Sequence, residues 1–495
     1  MNTTSESLTD NMLNSSKPSV KQVLRNAPFM TLFSAQFIEN VGRAISGLAL
    51  EFLVYELTES PLMMGIMSII WLLPFVIITP LAGVYTDRLD QRKIMFYSNV
   101  GSCIASIGFV IIYLLKNQLM VIETAQVLTA GGNTVVQLIH NPVHILWPLF
   151  ILLFINSSSA AFFFPARSAY TRLIVEKKNL LVANSIGSTV FQIATIVGFV
   201  LAGILAAKSY LGSFIVDAST FFVSGVLIAV LFKIGKKPPE VERVKSTTFR
   251  GEVSGLFKDM RVGFRTIREH PKVFYILVVF TALMFSFGAI NVLFIVILQG
   301  EMGLGQMWYG LIQGLMGASG IITAIILMSI GKIRRKIMLI NIAFSLLTVT
   351  MYIFAVVRNK WVIASILFTY GIISVFINVP TSTLIQETIP YEKQGRVFGS
   401  QQLAQGFAQL VGMGIVSVIA QYVLPMYVLL GSSVLLTIVI ITGFVVSGMK
   451  GLMKPDPIID LEAEEEKEQD IVKTKPDSLV SSSASATAIT HQEIE

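Results

Sequence analysis

Gly83-Val84-Tyr85-Thr86-Asp87-Arg88-Leu89-Asp90-Gln91-Arg92-Lys93 separates two long apolar runs, 62–82 and 94–115. Five charges fall within this stretch. A connection so short forces the flanking segments to lie antiparallel. Each run is near 20 residues, enough to cross a bilayer core of about 30 Å as a helix. Only helices or closed barrels satisfy backbone polar groups in lipid. These runs are continuous rather than alternating, so helices are expected.

Composition extends this reading to the whole chain. Of 495 residues, 54% are hydrophobic and only 14% charged, and the mean hydropathy is +0.72. Soluble domains carry roughly 25% charged residues, so this sequence cannot furnish a water-facing surface. Twelve spans are expected, at 27–55, 61–83, 94–115, 146–166, 181–207, 212–234, 271–299, 305–330, 337–357, 361–385, 396–422 and 426–448. The fold class is all-α and polytopic, with two six-helix bundles at 27–234 and 271–450. They are joined by a cytoplasmic linker at 235–270. A cytoplasmic segment at 1–26 precedes them, and a disordered acidic tail at 451–495 follows. The polar start shows no cleavage pattern, so the first span is expected to stay as an anchor.

Charge placement sets the orientation. The loops after spans 2, 4, 6, 8 and 10 hold Arg88, Arg92, Lys93, Arg172, Lys177, Lys178, the basic linker, Lys332, Arg334, Arg335, Lys336, Lys393 and Arg396. The opposite loops hold Lys116, Lys208, Arg358 and Lys360. The positive-inside rule then makes both termini cytoplasmic, in a plasma-membrane protein. Basic residues confined to loops between spans exclude a nucleic-acid partner. The single cysteine, Cys103, excludes an intramolecular disulfide. His140 and His144 are four apart, but Pro142 interrupts them and no third ligand is evident, so no metal or cofactor is called for.

The two halves echo each other. Pro165-Ala-Arg-Ser-Ala-Tyr-Thr-Arg172 ends span 4, and Pro380-Thr-Ser-Thr-Leu-Ile-Gln-Glu387 ends span 10. The opening stretch has a shortened counterpart, Gly331-Lys332-Ile333-Arg334-Arg335-Lys336, after span 8. Paired features at matching places mark a transporter built from repeats, with its substrate site at their interface.

Charges within spans single out candidate residues, since a mid-membrane ionisable group costs about 2.5–3.5 kcal/mol on insertion scales. Glu39 and Arg43 are one helical turn apart and can pair; Glu51 lies further out on much the same face. All three are candidates for proton coupling, Glu39 foremost, with a static Glu39–Arg43 packing pair as the alternative. Asp217, early in span 6, reads as a structural hydrogen-bonding group, and Arg167 as a gate or anchor. Polar candidates for a cavity are Gln36, Asn40, Asn184, Gln192, Asn291, Gln313, Asn378, Gln402, Gln405 and Gln409. Trp71, Met284, Phe285, Phe287 and Met316 could supply a broad, soft apolar surface suited to promiscuous binding. The same residues could equally be plain packing. Few charges in the later spans disfavour a multiply charged substrate.

The opening stretch, read as Gly83-x3-Asp87-Arg88 followed by Arg92-Lys93, resembles the signature between helices 2 and 3 of major facilitator superfamily transporters, with Asp90 where that family most often has Gly. The resemblance implies that Gly83 allows close helix packing. It also implies that Asp87, with Arg88, Arg92 and Lys93, closes a cytoplasmic gate against helix 11, near Arg396. Gly198-Phe-Val-Leu-Ala202-Gly203 resembles the antiporter motif of span 5, without its proline. Together these point to an exporter similar to the macrolide-efflux-like drug:proton antiporters, monomeric, with a hydrophobic or amphiphilic small molecule and protons as partners. Export of a siderophore or lysophospholipid, or a non-transporting scaffold or sensor, stays open. No phosphate-binding loop or nucleophile–base pair is present, so an enzyme is not expected. One proton crossing 100 mV supplies about 2.3 kcal/mol, roughly fiftyfold accumulation.

Overall fold

The structure, a computed structural model, describes residues 19–119, 121–130, 133–141, 143–238, 249–330 and 335–446. Twelve long helices run through it: α1 Ala27–Thr58, α2 Pro61–Arg88, α3 Gln91–Leu114, α4 Val143–Ile174, α5 Leu180–Lys208, α6 Tyr210–Ile234, α7 Pro271–Ile295, α8 Gln306–Ile330, α9 Lys336–Val356, α10 Lys360–Thr388, α11 Tyr391–Ile419 and α12 Pro425–Val446. Eleven are long and apolar enough to cross a membrane by length and composition. The exception is α1, at 32 residues amply long, whose Glu39, Arg43, Glu51 and Glu56 dilute its apolar character. The expected tail at 451–495 lies outside the described residues.

Local chemistry fixes the helix starts. Pro61 and Pro271 open α2 and α7, where a missing N–H costs nothing. Side chains of Asn26, Asp90, Ser209 and Asn359 cap α1, α3, α6 and α10 by accepting from free N–H groups. Helix α2 runs through Gly83 to Arg88, so the charged connection shrinks to Leu89-Asp90. Likewise α4 continues through Pro165 to Ile174 instead of ending there. A six-residue π-helical turn, Val296–Glu301, extends α7. Between α3 and α4 the chain forms an antiparallel hairpin of β1 Val121–Ala130 and β2 Asn133–Asn141, with a register shift at Ile122/Thr124.

Helix packing repeats with a period of six. In the first half α1 packs on α5 and α6, α3 on α4 and α6, and α2 on α4. In the second half α7 packs on α11 and α12, α9 on α10 and α12, and α8 on α10. The halves meet through α5 against α8 and α2 against α11, which exchange under the same repeat. Glycines set the first crossing. A Cβ on Gly310 would lie 2.4 Å from Phe199 O and 2.8 Å from Gly203 Cα, so the backbones touch as small residues permit. By contrast, a Cβ on Gly83 would meet no atom within 4 Å. The close packing expected of Gly83 is therefore absent. A helix within the linker, Phe249–Glu269, lies along α11.

Candidate functional site

A cavity of about 370 Å³ lies between the halves. Helices α1 and α2 give it Gly47, Glu51, Ser68 and Trp71; α7 and α8 give Phe287, Asn291, Phe294, Tyr309, Gln313 and Met316; α10 gives Tyr370. Glu51 is the only charged residue among those described as lining it. Its Oε2 accepts from Tyr309 Oη at 3.1 Å, a bond from the second half to the first. Tyr309 is itself held edge-on by Phe52 and Phe294, at ring distances of 5.6 and 5.1 Å. Phe287 stacks on Tyr370 at 5.5 Å. The chamber is thus an aromatic and thioether box with one carboxylate and a few amides, able to hold an apolar body and pair with a single positive charge or proton.

Beyond Glu51, at the end away from the basic loops, a polar cluster ties the two halves together. Gln306 Nε2 donates to Glu56 Oε1 at 3.2 Å and to Tyr210 Oη at 2.7 Å. Gln299 of the π turn donates to the same carboxylate at 3.4 Å, and Tyr210 Oη donates to it closely. The Gly203–Gly310 approach lies at this same end. Toward the basic end, a second space of about 570 Å³ opens between α2 and α11. It is lined by Val76, Thr79, Met284, Gln402, Gln405 and Gln409, with Asp259 and Met260 of the linker helix at its edge.

The expected residues divide among three places. Asn291, Gln313, Trp71, Phe287 and Met316 line the central cavity with Glu51, whereas Met284, Gln402, Gln405 and Gln409 line the space at the basic end. Gln36, Glu39, Asn40 and Arg43 come together inside the first half and do not line the cavity. Arg43 Nη2 stands 3.9 Å from Glu39 Oε1, and Arg43 Nη1 donates to Asn156 Oδ1 at 3.3 Å. Its guanidinium lies 5.2 Å from the Phe221 ring centre. Glu39 Oε2 accepts from Ser224 Oγ at 3.3 Å. Asn184 and Asn378 are exposed on their helices, the latter bonded to its own Ser374 carbonyl. Gln192 is half-buried near Gly320 of α8. Neither these three nor Phe285 lines the cavity.

In the charged connection Asp90 and Arg92 hold each other. Asp90 caps α3, accepting from Arg92 N at 3.0 Å, and grips the Arg92 side chain through Nε at 3.1 Å and Nη2 at 2.8 Å. Arg92 also lies over the Phe232 ring at 5.2 Å. Partial burial pushes the Asp90 carboxyl up, but the Arg92 hydrogen bonds and charge outweigh it, and the group sits below the ordinary carboxylate range. Lys93 is exposed and Arg88 is at the helix end. The Asp87 side chain lies outside the described residues. Arg396, five residues after α11 begins at Tyr391, pairs with Asp259 of the linker helix at 3.0 Å.

Sequence reasoning passed over Tyr309, Tyr370, Glu56, Tyr210, Gln299 and Gln306. Glu56 carried a signal, as a further carboxylate one turn beyond Glu51. The tyrosines and glutamines gave none, because which helix faces which is a tertiary property.

Two pseudo-equivalent six-helix bundles around a central cavity define a membrane transporter of the alternating-halves type. Residues 32–413 match the family model described as Major Facilitator Superfamily, and the chain belongs to that family. It is 24% identical over 426 residues to the MFS-type transporter YfiS of Bacillus subtilis (strain 168), covering 81% of this chain and 89% of that protein. It is likewise 24% identical over 389 residues to macrolide efflux protein A of Streptococcus pyogenes, covering 78% and 87%. Among solved structures, a bacterial homologue of the iron transporter ferroportin in its inward-facing state superposes with a TM-score of 0.63. It has 15% identity and covers 85% of this chain and 98% of that one.

Proposed function

We propose that this protein exports hydrophobic or amphiphilic small molecules in exchange for protons. The observation that carries the reading is the central cavity, whose apolar walls surround a lone carboxylate that bridges to the opposite half. Efflux is what the name of one relative states. The positive charge of the loops beside the open cleft supports a reading in which the cleft and both termini face the cytoplasm, so that the cavity loads from within. The two halves at 27–234 and 271–450 rock about it as a monomer, and the linker at 235–270 joins them on that side. Substrate or proton at Glu51 competes with the Tyr309 hydroxyl for the same oxygen, so occupancy loosens that bond. Glu39 and Arg43 stand two turns and more inward of Glu51 on α1, and Asp87, Arg88, Arg92, Lys93 and Arg396 belong to the gate at the loading side. One proton per cycle at 100 mV offsets about 2.3 kcal/mol of uphill export.

The test is uptake of labelled lipophilic amines and neutral macrocycles into inside-out proteoliposomes under an imposed pH gradient. Export with counter-flow of protons is expected. Glu51→Gln should retain downhill flux but lose gradient-driven accumulation. Unchanged accumulation in that variant would remove Glu51 from the coupling. No proton counter-flow with any accumulated substrate would remove antiport.

A further inference from the structure

A second polar assembly lies wholly inside the first half. Three helices each turn a stripe toward it at helical spacing: Gln36, Glu39, Asn40, Arg43 and Ser46 on α1; Asn99, Ser102 and Ser106 on α3; Asp217, Thr220 and Ser224 on α6. The α1 stripe alone is about 15 Å long. Gln36, Glu39 and Asp217 are fully buried, and Asn40 nearly so. Asp217 Oδ2 accepts from Ser106 Oγ at 2.6 Å, and Asn99 Nδ2 donates to Ser224 Oγ at 2.8 Å, which in turn donates to Glu39. Gly42 lets α6 come this close: its Cβ would strike Thr220 Oγ1 at 1.8 Å and sit 3.1 Å from Asp217 Oδ1.

The assembly is unfinished. Both amide atoms of Gln36, Glu39 Oε1, Asn40 Nδ2, Arg43 Nε and Asp217 Oδ1 are buried without a hydrogen-bond partner of good geometry, Glu39 Oε1 having only the Arg43 ion pair at 3.9 Å. Buried polar atoms are almost always paired, and a polar site with several orphans is where water is held. The orphans mix donors with acceptors, and Arg43 stands among them. That suits water and a proton, whereas a metal ion needs oxygen ligands alone and would be repelled by the guanidinium. Aromatic groups close both ends: Phe109 against Phe214 at one, and Phe29, Phe33, Phe163 and Tyr170 at the other. Arg43 is the partition toward the central space. Its side chain is 21% exposed where that of Glu39 is 1%, and Gly47, one turn on, lines the cavity.

We propose that Glu39 and Asp217 form a paired proton-binding site, bridged by water and screened from the substrate cavity by Arg43. A hydronium ion arriving along the water gives its proton to one carboxylate, its O–H bond breaking as the carboxylic O–H bond forms and a neutral water remaining. The proton then passes to the other through the intervening water, each transfer breaking one O–H bond as it makes the next. The charged or titratable groups facing the pair are Arg43 from α1, Arg167 from α4 over the Phe33 and Phe164 rings, and Cys103 from α3. Helix α5 brings only Lys208, at its far end. The role of the site in transport rests on the proton-antiport reading; its existence does not.

The experiment is an infrared titration of the purified full-length protein in lipid nanodiscs, without substrate, following the carbonyl stretch of protonated carboxylic acids with hydrogen–deuterium exchange. Asp217→Asn should remove one buried-acid band and displace the titration midpoint of the Glu39 band by about one pH unit or more, as coupled sites require. Ser106→Ala, a milder change, should shift the frequency of the Asp217 band without removing it. Glu51→Gln marks the band of the cavity carboxyl, so that it is not mistaken for either. A Glu39 midpoint unmoved by Asp217→Asn, or an Asp217 band indifferent to Ser106→Ala, overturns the pair. So does a titration displaced when sodium replaces potassium at constant ionic strength, which would mark a metal site. If vesicles show no proton-coupled export while the coupled bands are present, the antiport reading fails and the paired site stands. If export is proton-coupled but neither variant alters the spectra, the paired site fails alone.

Discussion

Gly310→Ala should tilt the protein toward the conformation open at the end away from the basic loops. The added methyl carbon would lie 2.4 Å from Phe199 O and 2.8 Å from Gly203 Cα. That is about 1 Å inside ordinary contact, and both obstacles are backbone, which no rotamer change can move. Relief requires α8 to part from α5. Overpacking of this kind costs about 1–3 kcal/mol. The cost falls on the conformation closed at that end and not on the one in which the helices have separated. The equilibrium should therefore shift by roughly five- to 150-fold. Gly203→Ala meets backbone at 2.8 Å and beyond, so its effect should be smaller. Gly314→Ala meets only Val200 Cγ2, at 2.6 Å, a side chain that can turn aside, and should do least. Spin labels at Lys208→Cys and Tyr422→Cys, with Cys103→Ser, report the separation of the halves at this end by pulsed distance measurement. A longer-distance population rising in the order Gly314, Gly203, Gly310 is expected. Wild-type distances in Gly310→Ala, or the reverse order, would refute the reasoning.

Three further outcomes follow from individual contacts. Asp90→Ala should cost about 1 kcal/mol or more of thermal stability in detergent, through the lost cap and the unpaired Arg92. Because the folded Asp90 carboxyl is held below its ordinary range, its contribution is complete above the unfolded pKa and is lost as pH falls through the folded one. The gap between wild type and variant should thus be flat at neutral pH and close on strong acidification; a gap that widens with acid would be contrary. Lys336, nearly buried, is bonded to Glu387 Oε2 at 2.7 Å. Glu387→Gln should therefore cost about 1.5–3 kcal/mol, and more than Lys336→Met, in the melting of the purified protein. Gly83→Ala, where nothing lies within 4 Å, should leave the melting temperature unchanged or slightly raised.

Hydropathy and charge alone made the helices and their order legible, because lipid leaves the backbone so few choices. The repeat of motifs between halves anticipated the sixfold packing pattern. The site was legible only in part. Glu51, Asn291 and Gln313 announced themselves as polar groups in apolar runs, and they do line the cavity. Gln36 and Asn40 gave the same signal from the same helix, yet face inward on their own bundle, since α1 is surrounded and polar on more than one side. Asp90 looked like a departure from a glycine pattern; locally it is a cap that also clamps Arg92, which no spacing rule conveys. Arg396 marked the expected start of helix 11, but its ion pair with Asp259 of the linker helix was not legible, because the charge-rich composition of 235–270 concealed that helix.

The linker helix rides on one half while facing the other. Ser400 Oγ donates to its Met260 carbonyl, Arg396 grips its Asp259, and a Cβ on its Gly263 would strike Ser400 and the Arg396 backbone, so it travels with α11. The same Asp259 and Met260 border the cleft that α2 shares. The ten residues between Pro238 and Phe249 therefore join the first half to a helix fastened on the second. Shortening this stretch by a few residues should limit how widely the cleft between α2 and α11 can gape, and with it the girth of any cargo admitted there, without touching a residue that meets the cargo.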